Sequence, residues 1–231
     1  MNYATQLTLG IRLQEDATFE NFLIGRNAQL MTHLKQFLQN EDHFFYIGGV
    51  LGSGRSHLLQ ACCHEMTQLK QSALYLPLSN YQEFHPGLLE NLETISLVCV
   101  DDIQCISQEA VWQESLMHLY NRSRAAQTKL IVSGDVPPSE LALSLADLKS
   151  RLSWGWMYQL HLLADEDKVM ALQTRAKERG FELSQEVGNF LLRRCARQMS
   201  DLFLVLEKLD EASLSAQRRL TIPFVKTVLN L

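Results

Sequence analysis

A short glycine-rich segment restricts this chain more than any other stretch. Residues 49–56 read GVLGSGRS, between an apolar run and the start of a helical pattern. The order of strand, glycine-rich turn and helix, with this spacing, is typical of a phosphate-binding loop. Gly49, Gly54 and Ser56 match that pattern, whereas Arg55 stands where lysine is usual. A glycine-rich turn between strand and helix that binds no ligand is the alternative.

The glycine spacing has a physical reason. Without a Cβ, glycine lets the backbone curl so that several N–H groups point at one anion, and the positive end of the helix dipole acts there too. We expect Ser56 to offer its hydroxyl to Mg²⁺ and Arg55 to meet the β- or γ-phosphate. A guanidinium is longer and less adaptable than an ammonium, which favours nucleotide binding over fast hydrolysis. The predicted nucleotide-binding residues are Gly49, Gly52, Ser53, Gly54, Arg55, Ser56 and His57.

Two aspartates close a continuous apolar run. The run covers residues 97–100 and leads into Asp101 and Asp102, as expected for a buried parallel strand that delivers carboxylates to its C-terminal end. Asp101 is the predicted Mg²⁺ partner of Ser56. Asp102 stands where many such ATPases carry a glutamate that orients the attacking water. A helix N-cap with a polar loop is the alternative for both acids.

A later strand pattern also ends in polar residues. Residues 129–132 lead into Ser133, Gly134 and Asp135. Asp135 is predicted to sense a γ-phosphate or to hold water, and Ser133 is the alternative for that role. Because five strand patterns alternate with helical ones, we expect an α/β fold with a five-stranded parallel sheet flanked by helices. From Asp165 onward only helical patterns follow, which predicts a C-terminal helical domain.

Composition restricts the class of protein and of partner. A chain of 231 residues can form one α/β domain and a small second domain. With 21 Lys and Arg against 26 Asp and Glu, the net charge of -5 creates no overall attraction to nucleic acid or to an anionic membrane. No long apolar span or signal-like start is seen, so we expect a cytoplasmic protein with no membrane partner. The five cysteines lack metal-site spacing and are expected to be small buried hydrophobes.

The N-terminal residues form a separate feature. Gln6-Leu7-Thr8-Leu9 precedes the first helical pattern and predicts an extended arm. This peptide resembles the glutamine-leucine-x-leucine peptides that dock on the bacterial sliding clamp in extended form, with the glutamine amide and the aliphatic side chains in separate pockets. Gln6, Leu7 and Leu9 are therefore the predicted clamp-binding residues, with a plain edge strand as the alternative. The predicted domains are the arm at 1–14, a nucleotide-binding domain at 15–163 and a helical lid at 164–231.

Together these patterns resemble the AAA+ P-loop module. That module has a phosphate-binding loop, a strand that ends in two acids, a further strand that ends in a polar sensor residue, an arginine before the fifth strand and a C-terminal helical lid. Four segments are more particular and resemble the bacterial replication initiator DnaA. With the sequence ending at residue 231, we expect no counterpart of the initiator's helix-turn-helix DNA-binding domain, and the clamp-like peptide precedes the module. That combination is similar to the Hda group of DnaA-related regulators. The four segments are residues 18–22, 97–104, 148–155 and 220–225.

The resemblance implies a function. A regulator of the Hda group is expected to carry ADP or ATP with Mg²⁺, to bind the DNA-loaded sliding clamp, and to stimulate hydrolysis of ATP held by DnaA. Arg151 matches the family's arginine finger, which acts in trans, and Asp102 and Asp135 are the other expected catalytic residues. A surface ion pair is the alternative for Arg151. DNA is expected to be met mainly through the clamp, and a homo-oligomer is compatible with the resemblance.

Two departures from the family pattern concern the γ-phosphate. Arg55 replaces the loop lysine, and Ser200 falls where a second sensor arginine is expected, with Arg197 one helical turn away as a candidate substitute. Hydrolysis by the chain itself is therefore expected to be weak. Two rival functions stay open. One is an autonomous P-loop ATPase or kinase, and the other is a DNA-binding initiator or loader, which the acidic balance disfavours.

We predict that replacing Gln6 and Leu9 together by alanine abolishes capture of the protein on a surface coated with sliding clamp. The double change removes both the amide and an aliphatic contact of the extended peptide. Surface plasmon resonance with wild-type protein as the reference measures this directly. Unchanged binding would exclude the arm from clamp contact.

Overall fold

A parallel sheet of five strands is the centre of the larger structural unit. The structure, a computed structural model, describes residues 13–14, 17–195, 198–216 and 218–231. Two compact units are present, one of residues up to Phe22 with Asn27–His161, the other of Leu23–Arg26 with Leu162–Leu231. The strands are β1 (Phe44–Gly48), β2 (Ala73–Pro77), β3 (Leu97–Asp101), β4 (Lys129–Gly134) and β5 (Trp156–Gln159). Their order in the sheet is β2-β3-β4-β1-β5, with all neighbours parallel.

The sheet is buried on both faces. Successive side chains of β1 point to opposite sides, so Phe44 and Tyr46 enter one apolar cluster while Phe45 and Ile47 enter the other. Helices cover both clusters, which confirms the predicted α/β fold. The first unit contains α1 (Ala28–Gln39), α2 (Arg55–Gln68), α3 (Ala110–Ala126) and α4 (Ala146–Leu152), with 3-10 turns at Leu78–Glu83, Pro86–Leu89, Leu92–Thr94, Ile103–Ile106 and Pro138–Glu140.

The fifth strand is shorter than its sequence pattern suggests. The apolar stretch predicts a strand over 157–162, whereas β5 ends at Gln159. Its last paired residues are Gly48 of β1 and Gln159. Because β1 turns into the glycine-rich loop after Gly48, β5 has no continuing strand to pair with.

Helix α4, which carries Arg151, forms in a segment for which the sequence pattern predicts no regular structure. The chain leaves this seven-residue helix through Gly155, whose φ of +99° lies in the left-handed region. A Cβ on Gly155 would stand 2.9 Å from the backbone oxygen of Phe44. Glycine is therefore required at the turn that joins α4 to the start of β5.

The second unit is a small helical domain, as predicted. Its helices enclose one apolar core that includes Leu172, Leu191 and Leu206. The hydroxyl of Ser184 accepts a hydrogen bond from the backbone N–H of Val187, which caps the second of these helices. No helix in the described part of the chain combines the length and apolarity that crossing a bilayer requires. The helices are α5 (Asp165–Glu178), α6 (Gln185–Arg194), α7 (Met199–Ala216) and α8 (Ile222–Leu229).

We predict that Gly188→Ala destabilises the helical unit by up to about 2 kcal/mol. Alanine favours the helix by about 1 kcal/mol, but its Cβ would lie 2.6 Å from Cγ1 of Val169 on α5, and such overpacking costs about 1–3 kcal/mol. In a Val169→Ala background the clash is absent, so the same change should be neutral or stabilising. Urea unfolding of the four proteins measures this coupling, and equal effects of Gly188→Ala in both backgrounds would contradict the packing described.

Candidate functional site

The predicted phosphate loop connects β1 to α2. Two of its glycines, Gly52 with φ +79° and Gly54 with φ +100°, lie in the left-handed region, where a side chain adds strain. A Cβ on Gly54 would also lie 2.9 Å from a ring carbon of Phe22. The loop ends at the N-terminus of a fourteen-residue helix, α2, whose dipole favours an anion at that end.

The carboxyl ends of three neighbouring strands bring the predicted groups together. The loop follows β1, Asp101 closes β3, and Ser133 lies near the end of β4 between them in the sheet. The backbone N–H of Gly49 donates to the carbonyl oxygen of Gly134 at 3.0 Å. The loop and the two acids therefore lie at one edge of the sheet.

Asp101 is almost completely buried, with 1% of its surface exposed. One carboxylate oxygen accepts the hydroxyl of Tyr75 at 2.7 Å, and the other accepts the hydroxyl of Ser133. Burial raises the pKa of Tyr75 well above its usual value, the Asp101 carboxylate raises it further, and a hydrogen bond with Ser56 lowers it. The hydroxyl of Tyr75 thus lies beside both predicted Mg²⁺ ligands, Ser56 and Asp101.

Arg55 is buried and paired with the second acid. Its side chain is 5% exposed, and Nη2 lies 2.5 Å from Oδ1 of Asp102. Asp102 also accepts a hydrogen bond from Nε2 of Gln104 at 2.8 Å. Its backbone has φ +59°, a left-handed conformation that is uncommon for a residue with a side chain. A buried guanidinium needs a counter-charge, and Asp102 supplies it.

Three buried polar atoms at the loop have no hydrogen-bond partner among the described residues. They are Oγ of Ser53 and both Nε and Nη1 of Arg55. Buried donors left unpaired cost free energy, and phosphate oxygens would satisfy them. The residues present therefore fit the phosphates of a nucleotide.

The predicted magnesium ligands are of a suitable kind. Mg²⁺ is usually held by one or two protein oxygens together with nucleotide phosphates, and Ser56 and Asp101 are oxygen donors. Each carboxylate oxygen has two lone pairs, so the two bonds made by Asp101 leave acceptor capacity. Within the part of the chain that the structure describes, no group of three or more His, Cys, Asp and Glu residues forms a metal site of its own.

Two further predicted site residues have other contacts. The backbone N–H of Asp135 donates to Oε1 of Gln104 at 3.2 Å, and the Asp135 carboxylate adds to burial in raising the pKa of Tyr46. Nε2 of His57 lies 2.7 Å from the backbone oxygen of Thr18. Gln104 therefore connects Asp102 to the backbone at Asp135, whereas His57 contacts the segment that precedes α1.

Arg151 lies near the end of α4. Its Nη1 is 3.0 Å from a carboxylate oxygen of Asp147, four residues earlier, and its Nε donates to Oδ1 of Asn121 at 2.9 Å. The Arg151 side chain is 25% exposed and that of Asp147 is 67% exposed. The surface ion pair considered from the sequence is therefore present. An exposed pair at this spacing contributes only about 0.3–0.5 kcal/mol.

Some predicted residues lie outside the part of the chain that the structure describes. The proposed clamp-binding residues Gln6, Leu7 and Leu9 lie outside the described residues, as does Arg197. Ser200 lies within α7, and its side chain is also outside the description.

Two residues of the site were missed by sequence reasoning. Tyr75 reaches Asp101 because β2 pairs beside β3, and no local pattern reveals that neighbour. Gln104 follows Asp102 by two residues and donates to its carboxylate. An amide at that spacing from an acid after a buried strand is a signal that could have identified it.

Comparisons with known proteins agree with the fold described above. Residues 13–159 match the family model of the bacterial DnaA ATPase domain, and residues 165–229 match that of the Hda lid domain. Domain III of DnaA from Thermotoga maritima superposes with a TM-score of 0.81 at 19% identity, covering 95% of this chain and 98% of that one. AMPPCP-bound DnaA from Aquifex aeolicus gives a TM-score of 0.71 at 23% identity, covering 85% and 67%. At these identities the structural likeness shows the fold alone.

We predict that Tyr75→Phe destabilises the protein by about 1–3 kcal/mol at neutral pH, because one oxygen of buried Asp101 loses its donor. The folded-state pKa of Tyr75 is raised, so the stability linked to its neutral form is complete below the ordinary pKa of about 10 and is lost as pH rises above it. The variant should therefore lose stability less steeply above pH ~10 than the wild type.

Chemical denaturation at several pH values checks both effects. Tyr81→Phe is the matched control, because the Tyr81 hydroxyl bonds to the half-buried carboxylate of Glu109 and its loss should cost about 1 kcal/mol or less. Similar losses in the two variants would contradict a special role for the Tyr75 contact.

Proposed function

Because the chain belongs to the bacterial DnaA ATPase family, we propose that it is a DnaA-related regulator that lowers replication initiation by stimulating hydrolysis of initiator-bound ATP. In this proposal it carries a nucleotide, ADP in particular, and works while attached to the DNA-loaded sliding clamp. The match of residues 165–229 to the Hda lid domain supports this reading over that of a complete initiator.

The nucleotide site would use the groups at the carboxyl edge of the sheet. The loop backbone, Ser53 and Arg55 would bind phosphate oxygens, while Ser56 and Asp101 would hold Mg²⁺. Bound Mg²⁺ neutralises phosphate charge. The AMPPCP in the Aquifex aeolicus relative supports nucleotide binding by a chain of this fold. Asp102 is engaged by Arg55 and is a poor candidate to orient water, which weighs against the rival function of an autonomous ATPase.

The position of Arg151 carries the proposal that it acts on a partner. Arg151 lies just before β5, and the turn that follows α4 places Gly155 against Phe44, the first residue of β1. The glycine-rich loop begins after the other end of β1. A strand of five residues spans roughly 16 Å, so Arg151 and the loop belong to opposite edges of the sheet. A finger at this position would therefore serve a nucleotide held by another molecule.

The contacts of Arg151 are compatible with such a role. An exposed ion pair with Asp147 costs little to exchange for a γ-phosphate. The guanidinium fork can donate two parallel hydrogen bonds to phosphate oxygens, and it would stabilise the charge that develops during hydrolysis. Asn121, which accepts from Nε, would hold the side chain in a defined orientation.

The attachment to the clamp rests on the peptide at Gln6, Leu7 and Leu9. Binding through a short extended peptide would raise the local concentration of the protein where clamp is loaded on DNA. Contact with DNA would then be mainly indirect, in keeping with the net charge of -5.

We predict that Arg151→Ala reduces the stimulation of hydrolysis by about 10³- to 10⁵-fold, the usual effect of an arginine finger. Radiolabelled ATP bound to the initiator is the substrate, with clamp loaded on DNA. Arg151→Lys retains the charge but not the fork and should give only partial recovery. Arg193→Ala removes an exposed arginine of the helical unit and should behave as wild type. Equal stimulation by wild type and Arg151→Ala would assign the activating group elsewhere, and none by either would favour an independent nucleotide-binding role.

A further inference from the structure

We propose that Asp102 is the internal counter-ion of Arg55 and that this pair makes the nucleotide site discriminate against a third phosphate. The inference rests on the proposed nucleotide binding and adds to it the residue that determines which nucleotide is preferred. Asp102 then acts as a positioning residue for Arg55 and not as a base.

The carboxylate of Asp102 is fixed from several sides. Nη2 of Arg55 lies 2.5 Å from its Oδ1, and Nε2 of Gln104 donates to the same oxygen at 2.8 Å. The backbone N–H of Asp102 donates to Oγ of Ser133 at 3.1 Å. Its left-handed backbone conformation directs the residue away from the regular path of β3. The hydrogen bonds from Gln104 and to Ser133 therefore hold Asp102 in place in addition to its charge attraction to Arg55.

The same bond divides the donors of Arg55 into two sets. Nη2 is used by Asp102, whereas Nε and Nη1 are buried and have no partner within the described residues. The N–H groups of these two nitrogens therefore stay available to phosphate oxygens without disturbing the pair. A ligand that demands all the donors of this guanidinium must first displace the carboxylate, and the side chain is only 5% exposed, so water offers little compensation.

A third phosphate would need more hydrogen-bond donors and would add negative charge to the site. In the proposed binding mode, it would bring further oxygen acceptors to the region of Arg55, and it would bring negative charge towards the Asp102 carboxylate that is already bound there. Like charges in a partly buried site repel strongly because the effective dielectric is low. A nucleoside diphosphate avoids most of this repulsion. Discrimination by an unfavourable contact with the competing ligand is a general route to specificity.

Gln104 restrains Asp102 and so strengthens the discrimination against a third phosphate. Its amide nitrogen holds the carboxylate of Asp102, and its amide oxygen accepts the backbone N–H of Asp135 at 3.2 Å. The glutamine thus ties Asp102 to the end of β4. Asp102 cannot swing aside without breaking this link as well as the bond to Arg55.

We predict that Asp102→Asn raises the affinity for AMPPCP relative to that for ADP by at least about tenfold, or roughly 1.4 kcal/mol. Asparagine keeps the size and an acceptor oxygen but removes the charge. Isothermal titration calorimetry with nucleotide-free full-length protein in Mg²⁺ gives both dissociation constants for each variant. Glu114→Gln removes one charge from an exposed position on α3 and should leave the ratio unchanged.

The possible results separate the inference from the proposed function. If wild-type protein binds neither nucleotide, the proposed site and the inference both fail. If wild type binds and Asp102→Asn leaves the ratio unchanged, or weakens both ligands equally, Asp102 is only structural and the inference alone fails. Thermal melting identifies a variant that does not fold. In that case Gln104→Ala, which releases one restraint on Asp102, should shift the ratio in the same direction by a smaller factor, and an unchanged ratio overturns the inference.

Discussion

Everything at the candidate site depends on the parallel pairing of three adjacent strands. Because β3, β4 and β1 run side by side in the same direction, whatever follows each of them emerges at one edge. The glycine-rich loop, the two acids and Ser133 come from different parts of the chain, yet they meet there through direct hydrogen bonds. An antiparallel arrangement would send Ser133, near the end of β4, to the opposite edge from the loop and the acids. The long apolar runs of these strands are therefore as important to the site as its polar residues.

The sequence predicts the parts of this site that follow from local patterns. The glycine spacing of the loop, the buried run before Asp101 and the polar end of β4 all have a local physical cause, and the predicted α/β fold with a helical second domain is confirmed. Contacts that depend on which strands are neighbours could not be predicted from local sequence patterns. Tyr75 reaches Asp101 only because β2 lies next to β3. The order of strands in a sheet cannot be predicted from any single segment of the sequence.

Two other features escaped the sequence for different reasons. Helix α4 has only seven residues, and so short an apolar pattern does not distinguish a helix from a loop. Arg55 was expected to turn towards phosphate, and the pattern gave no reason to connect it with Asp102. That bond arises because the loop after β1 and the acid after β3 approach each other across β4. Pairing of a loop cation with an acid of the same edge is a three-dimensional property.

Arg151 and the glycine-rich loop lie at opposite edges of one sheet. The module therefore has two different sides, one with the arginine and one with the loop. If Arg151 acts on a neighbour, the contact joins unlike surfaces, a heterologous association that repeats head to tail unless something interrupts it. Each molecule then has a donor side and an acceptor side. A chain added at one end of a row of related modules offers its arginine to the row, and one added at the other end offers only its nucleotide. Where such a regulator joins the row would therefore decide whether it activates hydrolysis at all.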